Sequence, residues 1–173
     1  TLKSAGADFW SGTTLAYPGP AGLPNVDTGF VNAIPFTATE TSMTVRVYSP
    51  TAGIPVRLKV ELDTDNTISV ETEALTTGVN TWETLSFDFS NPAAGTAAFN
   101  VNATYNKATI FFNFDPVNGV GAGETYYWDD VEFASAPPPV LTQMDLPVSF
   151  DDVTVAYSAI DFGNNGGAVT TLG

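Results

Sequence analysis

The chain predicts an all-β protein, an antiparallel β-sandwich of jelly-roll type. Three observations point there: hydrophobic residues recur every second position, turn-forming clusters separate the periodic runs, and no stretch carries an apolar stripe at helical spacing. Met43-Val45-Val47, Val56-Leu58-Val60-Leu62, Leu85-Phe87-Phe89 and Ile110-Phe112-Phe114 recur at period two, the first three with polar neighbours throughout, which gives every strand one face to bury. Between them stand Pro50-Thr51-Ala52-Gly53, Asp63-Thr64-Asp65-Asn66, Thr77-Gly78-Val79-Asn80 and Asn118-Gly119-Val120-Gly121. These compositions close hairpins, because Gly, Asn and Asp tolerate turn backbone and Pro cannot continue a ladder.

Taken in order, the strands fall at about 2–5, 8–16, 42–49, 55–62, 67–75, 81–89, 107–114, 125–133, 146–156 and 159–163, with long loops at 17–41 and 90–106. Ala134-Ser135-Ala136-Pro137-Pro138-Pro139 reads as an extended linker. It divides a body of 1–133 from a linker of 134–144 and a tail of 145–173. The tail is too short to hold its own core, so Leu146 to Val155 is expected to pair with a sheet of the body fold. That pairing runs either in cis or, by strand donation, in trans to a neighbouring copy.

Charge narrows the partners. Nineteen acidic residues stand against five basic ones, a net −14, and a chain so acidic repels phosphate backbones and anionic lipid. No run of about 18 apolar residues is present, so neither nucleic acid nor membrane insertion is expected. Histidine and cysteine are absent, which removes the usual neutral-pH base, the thiol nucleophile and the soft metal ligands. Carboxylate chemistry and oxygen-ligated calcium survive that filter. A sandwich of this size without a cleft-forming insertion argues against an enzyme.

Sugar binding needs aromatic faces for pyranose rings and fixed polar groups for hydroxyls. On the non-core parity lie Arg46, Tyr48, Arg57, Lys59 and Glu61, read as one ladder on one sheet face opposite Glu71, Glu73 or a ligand. Cross-strand ion pairing would use the same residues. Trp10, Tyr126 and Trp128 fall opposite the parity of Phe9, Tyr127 and Phe133, which predicts an exposed platform, although subunit packing also enriches such residues. Trp82, at a strand start, is expected to be buried. Asp129, Asp130, Asp151 and Asp152 would gather where the first and last strands meet, either around a calcium ion or as strand-end acids facing water. Asp63-Thr64-Asp65-Asn66 lacks the Gly and final Glu of a calcium-binding loop and reads as a hairpin turn. Asn102-Ala103-Thr104 has the form of an N-glycosylation acceptor.

Lys3-Ser4-Ala5-Gly6-Ala7-Asp8-Phe9-Trp10-Ser11-Gly12-Thr13-Thr14-Leu15, Met43 to Tyr48, Trp82-Glu83-Thr84-Leu85 and Tyr126-Tyr127-Trp128-Asp129-Asp130-Val131 together resemble the jelly-roll carbohydrate-binding modules of bacterial secreted and cell-surface proteins. In that family an aromatic-Asp-Asp strand, like Phe150-Asp151-Asp152, opens the module, whereas here it follows the closing strand. The resemblance therefore implies the remainder of one repeat joined by a Pro linker to the start of the next. It also implies an extracellular, non-catalytic module that binds polysaccharide and carries a structural calcium ion. The alternative it leaves open is a structural repeat of a surface filament or adhesin, assembled head to tail by strand donation.

Overall fold

A computed structural model describes residues 1–15, 17–18 and 27–133. The linker and the tail, with the strands expected at 146–156 and 159–163 and the pairing of Leu146 to Val155, lie outside the described residues. Eleven strands are described: β1 (Leu2–Lys3), β2 (Gly12–Leu15), β3 (Tyr17–Pro18), β4 (Asp27–Thr28), β5 (Ser42–Ser49), β6 (Pro55–Leu62), β7 (Asp65–Leu75), β8 (Thr81–Asp88), β9 (Lys107–Phe112), β10 (Glu124–Thr125) and β11 (Tyr127–Phe133). All their pairings are antiparallel, and no helix occurs among the described residues.

Two sheets make the sandwich. One has the order β11-β5-β8 and the other β2-β9-β6-β7, with the short pairs β1-β10 and β3-β4 beside them. Most period-two residues do what their spacing demands: Met43, Val45, Val47, Leu85 and Phe87 of the first sheet meet Val56, Leu58, Val60, Val70, Ala108, Ile110 and Phe112 of the second in a single buried cluster, whereas Leu62, past a register shift, and Phe114, past the positive φ of Asn113, stay out of it. Phe36 caps that cluster, with its ring edge-on to Phe89, Phe99, Tyr105 and Phe133. The strand expected at 8–16 is shorter, because Asp8 to Ser11 forms a turn closed by a Ser11 N–H bond to the Asp8 carbonyl. Likewise 125–133 divides into β10 and β11 around Tyr126.

The turns follow their chemistry. Asn80, Asn113 and Asp130 adopt positive φ, a region that Asn and Asp enter more readily than other side chains. Asp63-Thr64 turns the β6-β7 hairpin, and Asp63 accepts bonds from Gly29 N–H and the Asn106 amide, so this segment is a turn tied to its neighbours. Gly121 has no room for a side chain: a Cβ there would lie 2.2 Å from the Ser4 carbonyl. That close approach seats the amino-terminal loop, through Gly6 N–H to Gly121 O and Gly121 N–H to Ala7 O.

Lys3 completes the attachment. It is only 3% exposed, and its ammonium donates to the carbonyls of Phe112 (2.8 Å), Asn113 (3.0 Å) and Phe9 (3.1 Å). Three protons meet three acceptors, so a buried cation is held without direct contact to a carboxylate.

Turn hydrogen bonds also set the response to pH. Asp63 (held by Gly29 N–H, then Asn106), Asp65 (Thr67), Asp88 (Ser90, then Thr41) and Asp115 (Val117 N–H, then Asn118) titrate below their ordinary 3.8. At Glu83 burial pushes upward, but Gly78 N–H and the hydroxyl and N–H of Thr77 outweigh it, so it too lies below its ordinary 4.5. Depressed carboxylates stabilise the fold above the ordinary values and lose that contribution as pH falls through the folded ones. Tyr126 is opposite: burial, then Glu124, pushes its phenol from 10.0 to about 12. Its contribution is complete below pH 10 and declines as pH rises towards about 12. Burial lowers Lys3, against the pull of Glu124, so its effect opposes that of Tyr126 only up to 10.5. Denaturation midpoints should therefore fall below about pH 4 and again above 10.5, with the alkaline fall reduced in Tyr126→Phe. A Tyr126→Phe protein with an unchanged alkaline decline would contradict this assignment.

Candidate functional site

Outward-facing residues separate onto two different faces, which corrects the expectation of one ladder. Arg57 and Lys59 lie on the outer face of β2-β9-β6-β7, whereas Arg46 and Tyr48 lie on the outer face of β11-β5-β8. The physical reason is the chain's crossing from one sheet to the other between β5 and β6.

On the first of these faces the charges neutralise one another. Arg57 pairs with Glu71 (3.2 Å) and Glu73 (3.1 Å), Lys59 pairs with Glu61, and Lys107 lies 3.5 Å from Glu61. Arg57 also stacks over the Phe114 ring, 3.8 Å from its centroid. Three cations and three glutamates fill this ladder, and the cross-strand pairing reading holds for Arg57.

The other face carries an aromatic row. Tyr127, Tyr48 and Trp82 are direct register partners across β11, β5 and β8. Tyr48 stands edge-on between its neighbours, 5.7 Å and 81° from Tyr127 and 5.8 Å and 62° from Trp82. Tyr127 remains 54% exposed and Trp82 42%, with Tyr48 half-buried between them. The next row along the strands is polar, with Asp129, Arg46 and Thr84 in register. Arg46 lies 4.9 Å from the Trp82 ring centroid and 3.8 Å from the Asp130 carboxylate, which sets its exposed guanidinium beside the rings. A register shift between Asp129 and Glu132 and the positive φ of Asp130 mark a β-bulge at this point.

That bulge overturns the expected parity of β11. Tyr126, expected on the exposed platform, is 1% exposed and stacks on Phe112 with centroids 4.7 Å apart and planes 8° from parallel. Trp128 also turns inward: it packs against the core and donates its indole N–H to the Thr1 hydroxyl (3.0 Å). Before the bulge even-numbered residues face in, and after it Phe133 does, so the parity of Phe133 misassigns Tyr126 through Trp128. Tyr127, expected in the core, joins the row instead. Trp82, expected to be buried, also belongs to it. A sequence signal existed for Trp82, since it shares the even parity of Thr84 and Ser86 opposite Leu85 and Phe87.

Trp10 is exposed at 57% but sits in the Asp8–Ser11 turn before β2, in a different sheet from the aromatic row. Of the acids expected around calcium, Asp130 faces Arg46 and Asp129 accepts the Asp130 N–H through its own Oδ1. Asp151 and Asp152 lie outside the described residues, and among the described residues no three acidic side chains converge as metal ligands would. Nor, among them, is any helix long and apolar enough to cross a membrane. Asn102 of the glycosylation-type sequence is exposed in a turn. A separate cleft of about 200 Å³ lies between the Thr67–Ser69 stretch of β7 and the loop bearing Ala97, Asn100 and Tyr105.

No protein-family model matches the chain, and no curated protein matches it.

Proposed function

We propose that this domain is a non-catalytic glycan-binding module of an extracellular or cell-surface bacterial protein, and that it binds polysaccharide through the outer face of β11-β5-β8. The observation that carries the reading is the registered row Tyr127–Tyr48–Trp82 with Arg46 beside it. Aromatic side chains left exposed in a line supply the apolar surface that pyranose C–H faces seek, and the exposed guanidinium beside them supplies donors to ring hydroxyls. Exposed rings of this size carry a hydration cost that a ligand relieves. The resemblance to carbohydrate-binding modules points the same way.

Affinity electrophoresis in gels containing xylan, mannan, galactan or mixed-linkage glucan tests this. Wild-type protein should be retarded by at least one of them, and Trp82→Ala and Tyr48→Ala should each weaken that retardation by roughly 10-fold or more. Arg57→Ala, on the other face, should migrate as wild type. Retardation lost in Arg57→Ala but kept in Trp82→Ala would assign the wrong sheet, and no retardation by any glycan would remove the reading.

A further inference from the structure

Resting on the glycan-binding reading above, we infer that the face selects a single, uncharged polysaccharide chain and grips it along an internal stretch, laid across the strands. Direction comes from the register: Tyr127, Tyr48 and Trp82 are partners on three neighbouring strands, so their row runs perpendicular to the strands. The centroid spacings of 5.7 and 5.8 Å are close to the advance of one sugar along an extended pyranose chain. Three rings therefore meet about three consecutive residues of one chain.

The ring planes exclude a flat solid. Turned by 81° and 62° from one ring to the next, they do not share a plane, whereas an ordered crystalline surface needs coplanar rings to lie on. A lone chain rotates about its glycosidic bonds and follows them. Tyr127 and Trp82 occupy the two outer strands of the three-stranded sheet, and both are well exposed. A chain laid over the row runs on past both strands, which suits internal segments rather than termini.

Charge decides the class of sugar. Arg46 is the only cation in β5, β8 and β11, and Asp130 and the Trp82 ring already engage it. Beside it on β11 stand the exposed acids Asp129, Asp130 and Glu132, with Asp88 at the far end of β8. Uronate or sulfated chains meet net negative potential here, in a chain already at −14. Hydroxyls lose nothing to that field and accept from Arg46 while donating to Asp129.

Wild-type full chain titrated calorimetrically at low salt tests the inference. The probes are hydroxyethyl cellulose, xylan, galactan and galactomannan, with alginate and polygalacturonate as charged counterparts. Oligosaccharides of one to six residues from whichever neutral polymer binds follow, together with a pull-down on microcrystalline cellulose. Affinity should rise roughly 10-fold or more from monosaccharide to trisaccharide and by less than about 3-fold beyond, with no heat from the polyuronates. Three outcomes overturn the inference while leaving glycan binding intact: polyuronate bound as tightly as any neutral polymer, monosaccharide bound as tightly as trisaccharide, or retention by the crystalline solid without binding to soluble chains. Absence of binding to every probe overturns both this inference and the reading beneath it.

Discussion

Alanine at Tyr126 will lower the unfolding free energy by about 3–5 kcal/mol, whereas alanine at Tyr127 will cost about 1 kcal/mol or less and will weaken glycan retention instead. The two residues are neighbours of identical chemistry, so only their direction differs. Tyr126 is buried and lies flat against Phe112 in the packed interior; truncating it removes that stack and leaves a cavity lined by a well-ordered sheet. Tyr127 points into solvent beside Tyr48, and its loss exposes only one more edge of an already exposed row. Urea denaturation of both variants, run beside affinity gels, reads the two effects separately. Equal destabilisation by the two changes, or retention lost only on changing Tyr126, would restore the parity that the bulge in β11 reverses.

Lys3→Met should cost about 2–4 kcal/mol. Methionine keeps the aliphatic stem and removes the ammonium, so the carbonyls of Phe9, Phe112 and Asn113 lose their shared donor at once. Hydrogen exchange should show the loss locally, with Gly6 and Gly121 amides losing protection before those of β5 or β6. Lys107→Met, which breaks only an outer-face contact with Glu61, should cost about 1 kcal/mol or less. If Lys3→Met unfolded no more easily than Lys107→Met, the ammonium would not be what fastens the amino-terminal segment.

Much of the architecture was legible because burial on a strand has a period of two and four runs obeyed it over most of their length, with Leu62 and Phe114 the exceptions where a register shift and a turn break the alternation. Val45, Val47, Leu58, Val60, Phe87 and Ile110 needed no information beyond their own alternation to be assigned to the interior. Trp82 was misread as buried because it opens its strand, although the parity of Leu85 and Phe87 already turns it outward. Lys3 was not legible, because nothing local announces that a cation will find three carbonyl groups at the distant end of β9.

Composition and alternation by themselves determined that this chain forms strands and that its sheets bury one face each. Tertiary structure alone decided which outward residues share a surface. Period-two patterning says that a side chain faces away from the core but not which of two sheets it belongs to, so Arg46 and Arg57 read alike until the chain crosses from β5 to β6. It decided the fate of the aromatic residues as well: one extra residue at the bulge around Asp130 reverses parity within β11, carrying Tyr126 and Trp128 inward and setting Tyr127 beside Tyr48 and Trp82.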